Sequence, residues 1–155
     1  MKRTAITQRL AGLGGAKWAI HQQARQLVAE GRTIIELTIG EPDVETPPEL
    51  VEATCDALHR GRTAYSSGRG EAGLIRALAA HYSSTSGRPI GKDKVLCFPG
   101  TQTALFAILM AVAEAGDEVL VGDPMYATYE GVIRASDATM VPVPLRPENG
   151  FRIRA

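Results

Sequence analysis

Hydrophobic positions follow two different spacings along this 155-residue chain. In three segments apolar side chains recur every three or four residues, which predicts amphipathic helices. These segments are 16–31, 48–61 and 74–87, and each ends at a glycine. Residues 34–39 are short and β-branched, which predicts a strand or extended segment. Residues 1–15 are polar and Gly-rich, and we expect a mobile arm there.

The last third of the chain alternates between strand and helix patterns. The predicted strands are 95–98, 118–121 and 139–143. The predicted helices between them are 103–114 and 126–135. The first of these helices is apolar nearly all round, so we expect it to be buried on most faces. Alternating helices and strands predict an α/β fold with a parallel sheet, and the segment from Lys94 to Val143 would be a βαβαβ unit.

Two regions are expected from this order of elements. Residues 1–31 would form an arm and a helix, and residues 32–155 would form the first part of a larger α/β domain. Only three sheet strands are predicted, so the chain looks like the opening part of a larger protein.

Composition and charge exclude several classes of protein. Lys plus Arg and Asp plus Glu both number 17, and no basic run occurs, so we expect no nucleic-acid partner. The longest apolar run, 104–113, is too short to span a bilayer, and no secretory signal is visible. Cys55 and Cys97 are expected to be buried thiols in a reducing cytoplasm. The three histidines are scattered, and no metal site is expected.

Gly100, Thr101 and Gln102 link a predicted strand to a helix N-terminus. Unpaired backbone N–H groups and the positive end of the helix dipole favour a phosphate at such a place. The segment lacks the Gly-Lys-Ser/Thr of nucleotide-binding loops and is not Gly-x-Gly-x-x-Gly. When these residues are taken alone, an ordinary strand-to-helix turn is the commoner explanation.

Three tyrosines and one further glycine are also candidates for ligand binding. Tyr126 and Tyr129 follow the second strand, where either ring could cover a flat cofactor or simply pack a helix onto the sheet. Tyr65 lies in a polar Ser/Gly loop, where its phenol could donate to a phosphate or be an ordinary loop residue. Gly40 begins a bend, and its N–H could meet a carboxylate without steric obstruction.

The order and spacing of these segments resemble the class I/II aminotransferases, which are fold-type I pyridoxal-phosphate enzymes. The matching segments are 39–43, 63–70, 98–105, 116–121 and 123–129. The resemblance implies an arm and small-lobe helices followed by the start of a mostly parallel sheet. It also implies ping-pong amino transfer from an amino acid to a 2-oxo acid in the cytoplasm. Segments 18–21, 124–130 and 141–146 are most similar to the arginine–pyruvate type, with the aspartate type as the alternative.

The resemblance also implies roles for individual residues. Gly100, Thr101 and Gln102 match the turn that holds the phosphate of pyridoxal 5′-phosphate. Tyr126 matches the aromatic residue that stacks on the pyridine ring. Tyr65 matches a tyrosine that crosses a homodimer interface to the neighbour's cofactor phosphate. Gly40 matches the glycine whose N–H meets the substrate carboxylate.

The catalytic residues of the family are expected beyond Ala155. The Schiff-base lysine, the pyridinium partner and the carboxylate-clamping arginine have no counterpart in this sequence, so the chain alone should not transaminate. Two other hypotheses remain open at this point. The scaffold could be a non-catalytic ligand-binding module, or a short protein that merely shares the βαβαβ core.

Overall fold

The computed structural model describes residues 2–154, apart from the side chains of Ala16 and Lys17. The helices are α1 (Ala5–Arg9), α2 (Gly15–Ala29), α3 (Pro48–His59), α4 (Ala72–Ser86), α5 (Thr101–Val112) and α6 (Tyr129–Ala135). The strands are β1 (Glu118–Asp123) and β2 (Thr139–Pro144). Single 3₁₀ turns occupy Lys92–Lys94 and Pro147–Asn149.

The chain divides into two compact units. The first unit contains the residues up to Ile39 together with those from Gly100 onward, and the second unit is Gly40–Pro99. The domain boundary expected between residues 31 and 32 stays a prediction. The two predicted regions also include Met1 and Ala155, which lie outside the described residues.

Helices α2 and α3 end with the same glycine motif. At the end of α2, the N–H of Gly31 donates to Val28 over 3.0 Å, and the N–H of Arg32 donates to Leu27 over 3.0 Å. Gly31 has a φ of 83°, a backbone conformation that side chains with a Cβ rarely adopt. The same pair of bonds closes α3 around Gly61. Both helix ends confirm the sequence prediction, because glycine satisfies the last carbonyl groups in this way.

A parallel strand pair joined by a helix forms the centre of the first unit. β1 pairs with β2 from Glu118 opposite Thr139 to Asp123 opposite Pro144. Helix α6 connects the two strands and buries three apolar side chains, Val132, Ile133 and Ala135. The parallel β–α–β arrangement confirms the two later strands expected from the sequence. Helix α6 begins at Tyr129 and not at residue 126, because residues 124–128 form the turn that leaves β1.

The expectation of a mobile arm over residues 1–15 is wrong for its central part, which forms α1. Arg9 at the end of α1 donates from Nε to the carbonyl of Arg134 over 3.1 Å and from Nη2 to that of Ala135 over 3.2 Å. Its Nε also lies 3.2 Å from Oδ1 of Asp137. A cation stabilises the C-terminal end of a helix, where carbonyl groups lack partners. Arg9 therefore caps α6 and anchors α1 to it.

The second unit is built around helix α4. Ile75 and Ala79 of α4 are buried together with Val95. The guanidinium group of Arg69 donates to the carbonyl groups of Asp93 and Val95. These contacts attach the segment that follows the Lys92–Lys94 turn to the loop that precedes α4.

Residues 95–98 are not a strand, contrary to the sequence prediction, and residues 34–39, for which a strand or an extended segment was expected, form no strand either. Val95 has extended backbone angles (φ −115°, ψ 131°), but no ladder forms along its segment. One backbone bond, from Cys97 N–H to the carbonyl of Arg69 (2.9 Å), attaches the segment instead. β-branched composition selects extended dihedral angles, whereas a strand also needs a partner along its length.

Side chains fix part of the 34–39 segment. Nδ1 of His21 in α2 lies 2.8 Å from Oε1 of Glu36, and the hydroxyl of Thr38 donates to the same oxygen over 2.9 Å. Ile35 and Leu37, on either side of Glu36, are 87% and 89% exposed. The segment therefore has no regular secondary structure, but its side chains tie it to α2, and its apolar side chains lie at the surface.

Two expectations of burial are also wrong. Helix α5 has no buried residue, and Val112 near its end is 71% exposed. Helix α5 is apolar nearly all round, which is typical of a helix that packs on most of its faces, but the described part of the chain buries none of its residues. Cys55 is exposed, and Cys97 is half-buried where it packs against the Ile75, Ala79 and Val95 cluster, so neither thiol is fully buried. Within residues 2–154, none of the helices combines the length and apolar character needed to cross a membrane.

Gly70 makes a close approach that no other residue can make. Its φ is 114°, and a Cβ built there would lie 2.8 Å from Cβ of Cys97. Gly68 in the same loop has no heavy atom within 4 Å of its own Cβ position, which makes it a matched control.

We predict that Gly70→Ala destabilises the protein by about 2–4 kcal/mol, the sum of backbone strain and overpacking. Gly68→Ala should change the free energy of unfolding by no more than about 0.5 kcal/mol. Urea denaturation of the two variants checks this. Equal midpoints would show that the backbone at position 70 is not constrained in this way.

Candidate functional site

A glycine precedes the N-terminus of α5. Gly100 has φ 93° and ψ 145°, and it forms no side-chain cap to the helix. The backbone N–H groups of Thr101 and Gln102 have no carbonyl one turn earlier within the helix. Apart from the neighbouring residues of the chain, a Cβ at Gly100 would meet no described atom within 4 Å, so this side of the turn is not packed against another segment.

A side-chain hydrogen bond connects this helix end to the start of α6. The hydroxyl of Thr128, the residue before α6, donates to Oε1 of Gln102 over 2.8 Å. α5 and α6 also contact each other. The two helix beginnings therefore lie together, beside the turn at the carboxyl end of β1.

Two tyrosines of this turn form an edge-to-face pair. The ring centroids of Tyr126 and Tyr129 are 5.7 Å apart, with an angle of 60° between the planes. The N–H of Tyr129 donates to the carbonyl of Tyr126 over 3.1 Å, which closes the turn. Tyr126 is 64% exposed, while Tyr129 is half-buried. Tyr129 thus supports Tyr126, whose ring is open to a ligand.

The chemistry of this cluster suits a phosphate attached to a flat ring. The groups at the start of α5 are backbone N–H donors, a hydroxyl of Thr101 and the amide of Gln102. A phosphate accepts hydrogen bonds on all of its oxygens, and the positive end of a 12-residue helix favours its charge. The exposed ring of Tyr126 offers an apolar face near the same helix ends.

The remaining candidates belong to the second unit. Gly40 is exposed, and a Cβ there would meet no atom within 4 Å. Tyr65 is fully exposed in a loop without regular structure. Gly100, Thr101, Gln102 and Tyr126 all belong to the first unit, where the Thr128–Gln102 bond joins the start of α5 to the turn that carries Tyr126.

Sequence reasoning gave no role to Thr128, although it is part of the cluster. Threonine before a helix usually accepts a hydrogen bond from a backbone N–H of the first turn. Thr128 makes no such cap bond and contacts Gln102, which is 26 positions earlier. A pattern along the chain carries no signal for a contact of this kind.

The second unit contains a groove of about 650 Å³ that none of the candidate residues lines. The residues that line it are Leu78, Tyr82, Arg88, Pro89, Ile90, Lys94, Val95 and Leu96. Within residues 2–154, no group of three or more His, Cys, Asp or Glu side chains could hold a metal ion.

Known proteins resemble this chain along most of its length. It is 42% identical over 155 residues to arginine–pyruvate transaminase AruH of Pseudomonas aeruginosa, covering 100% of this chain and 39% of that protein. It is 33% identical over 133 residues to aspartate/prephenate aminotransferase of Thermus thermophilus, covering 86% of this chain and 34% of that protein. The chain therefore spans well under half the length of these curated relatives.

Solved structures show the same fold. A single-mutant aspartate aminotransferase of Thermus thermophilus matches with a TM-score of 0.87 and 31% identity, covering 97% of this chain and 39% of that one. Alanine aminotransferase from Pyrococcus furiosus matches with a TM-score of 0.85 and 27% identity, covering 97% and 38%. These matches confirm the predicted fold class, the N-terminal part of the fold-type I aminotransferase fold.

The family match covers the region that carries the candidate residues. Residues 32–155 match the family described as "Aminotransferase class I and II", and Gly40, Tyr65, Gly100–Gln102 and Tyr126 all lie within them. The family match, the relatives and the fold all agree, so the chain belongs to the class I and II aminotransferases.

Proposed function

We propose that this chain forms part of an aminotransferase that moves the amino group of an amino acid to a 2-oxo acid with pyridoxal 5′-phosphate. The observation that carries the proposal is the joining of two helix N-termini by the Thr128–Gln102 bond, with an exposed tyrosine ring beside them. Arginine as donor and pyruvate as acceptor are the first substrates to test, because the relative with 42% identity over the whole chain is named for them. The aspartate type is the alternative.

The cofactor phosphate would bind at the start of α5. The N–H groups of Thr101 and Gln102 would donate to it, together with the Thr101 hydroxyl and the Gln102 amide. Gly100 would leave the approach to these donors open because it has no side chain. Its φ of 93° would strain any residue that has one. Tyr126 would cover one face of the pyridine ring and exclude water from it. The cofactor itself would supply the electron sink for charge that develops at the substrate α-carbon.

Gly40 would bind the substrate, and Tyr65 would act across a subunit interface. The N–H of Gly40 would bind the substrate carboxylate, and Tyr65 would donate to the cofactor phosphate of a second subunit in a homodimer. The exposure of both residues supports this, because neither is occupied by packing in its own unit. The cytoplasmic location expected from the sequence stays a prediction.

Covalent chemistry at the cofactor needs a lysine that this chain does not supply at a matching position. We propose that the complete gene product provides it beyond residue 155, and that the isolated 155-residue chain gives no turnover. The exposed apolar surface of α5 supports this proposal, because such a surface needs further protein to cover it.

Absorbance titration of the complete gene product with pyridoxal phosphate tests the function. We expect saturable binding, a spectral change on adding arginine, and its reversal by pyruvate. Thr101→Glu should weaken cofactor binding at least about tenfold, because a carboxylate would face the phosphate. Binding without amine transfer from any amino acid would identify a ligand-binding module instead. Absence of binding would refute the proposal.

For the aromatic face, we predict that Tyr126→Ala weakens cofactor binding and Tyr126→Phe does not. Stacking contributes roughly 0.5–1.5 kcal/mol beyond burial, so Ala should cost at least about threefold in affinity. Phe keeps the ring and should stay within about twofold. A loss of affinity in Phe equal to that in Ala would assign the effect to the hydroxyl and not to the ring.

For the assembly, we predict that the complete gene product is a dimer in which Tyr65→Phe weakens cofactor binding without dissociating the subunits. The exposed phenol makes no hydrogen bond within the described chain, so removing it should leave folding intact. Analytical ultracentrifugation and the same titration check this. A monomer with full activity would contradict it.

A further inference from the structure

We propose that Thr128 is a positioning residue that turns the Gln102 amide so that its N–H₂ group faces the cofactor phosphate. This inference rests on the proposed function, because it assumes that a phosphate binds at the start of α5. It assigns to Thr128 a role in phosphate recognition that requires no direct contact with the ligand.

The hydrogen bond determines which end of the amide is available. Oε1 of Gln102 accepts from the Thr128 hydroxyl over 2.8 Å, so this oxygen is directed toward α6. The amide plane is rigid, and Nε2 with its two donors therefore points away from Thr128. A phosphate needs donors, and an amide turned the other way would present an oxygen to it. The Gln102 side chain has no second hydrogen-bond partner in residues 2–154 that would set this orientation.

Thr128 itself is held in place by the helix that follows it. Helix α6 is fixed at its far end by Arg9 and along its length by buried Val132 and Ile133. The hydroxyl does not cap α6, so the hydrogen bond to Gln102 replaces the usual role of threonine at this position. Because Thr128 is held rigidly, its hydrogen bond can fix the orientation of the Gln102 amide.

A purely structural role predicts different behaviour. If Thr128 only joined α6 to α5, its loss would weaken every ligand of the site to the same extent. If it orients the Gln102 amide, its loss should weaken ligands that carry a phosphate and spare those that lack one. Pyridoxal, which has the same ring without the phosphate, separates these two cases.

The experiment measures the dissociation constants of pyridoxal phosphate and pyridoxal for the complete gene product and four variants. Thr128→Val removes the hydroxyl and keeps the shape, while Thr128→Ser restores a hydroxyl as the matched control. Gln102→Ala and the double variant complete a cycle. We expect Thr128→Val to weaken pyridoxal phosphate about tenfold, since a well-placed donor to a charged group contributes that much, and to leave pyridoxal within about twofold. Thr128→Ser should resemble the unmodified protein.

In the cycle, Thr128→Val should add nothing to Gln102→Ala, because it acts through that amide. Equal weakening of both ligands by Thr128→Val, or additive losses in the double variant, would overturn the inference and leave the proposed function standing. An unmodified protein that binds neither ligand would overturn the proposed function and the inference with it.

Discussion

The packing of α6 is the constraint on which the first unit depends. Val132, Ile133 and Ala135 are buried on this seven-residue helix, and it is the connection that lets β1 and β2 lie parallel. Burying a Val or Ile side chain contributes roughly 1.5–3 kcal/mol, so these contacts outweigh any helix propensity of so short a segment. Each end of α6 is then tied to another helix. Thr128 reaches α5, and Arg9 of α1 reaches the last carbonyl groups.

The candidate site follows from this geometry. Helix N-termini carry unpaired N–H groups, and the start of α5 lies beside the start of α6. The donors that result are backbone amides, a hydroxyl and a side-chain amide, none of which titrates near neutral pH. A phosphate bound to these groups, as proposed above, would be recognised by the direction of their hydrogen bonds, because none of these donors carries a formal charge. Any pH dependence of its binding to these groups would then come from the ligand.

Much of this could be predicted from the sequence, and the limits are physical. Gly31, Gly61 and Gly87 marked helix ends correctly, because a left-handed backbone at those positions depends on the residue itself. The parallel pair and the family were also predicted correctly, since both rest on the order of local patterns. Residues 95–98 were misjudged as a strand, because a strand depends on a partner elsewhere in the chain. Arg9 and Thr128 escaped notice for the same reason, as their partners are distant in sequence. The roles predicted for the individual site residues stay predictions.

The contacts that attach α1 to α6 determine which positions of the sequence can vary. Two of the three groups that Arg9 contacts are main-chain carbonyls, at residues 134 and 135. Any amino acid presents the same carbonyl, so the side chains at these positions can drift without loss of the attachment. The selective pressure falls instead on position 9, and more weakly on Asp137, whose carboxylate is the one side-chain partner. An arginine in a segment that the sequence alone marks as a mobile arm is therefore expected to change more slowly than its neighbours.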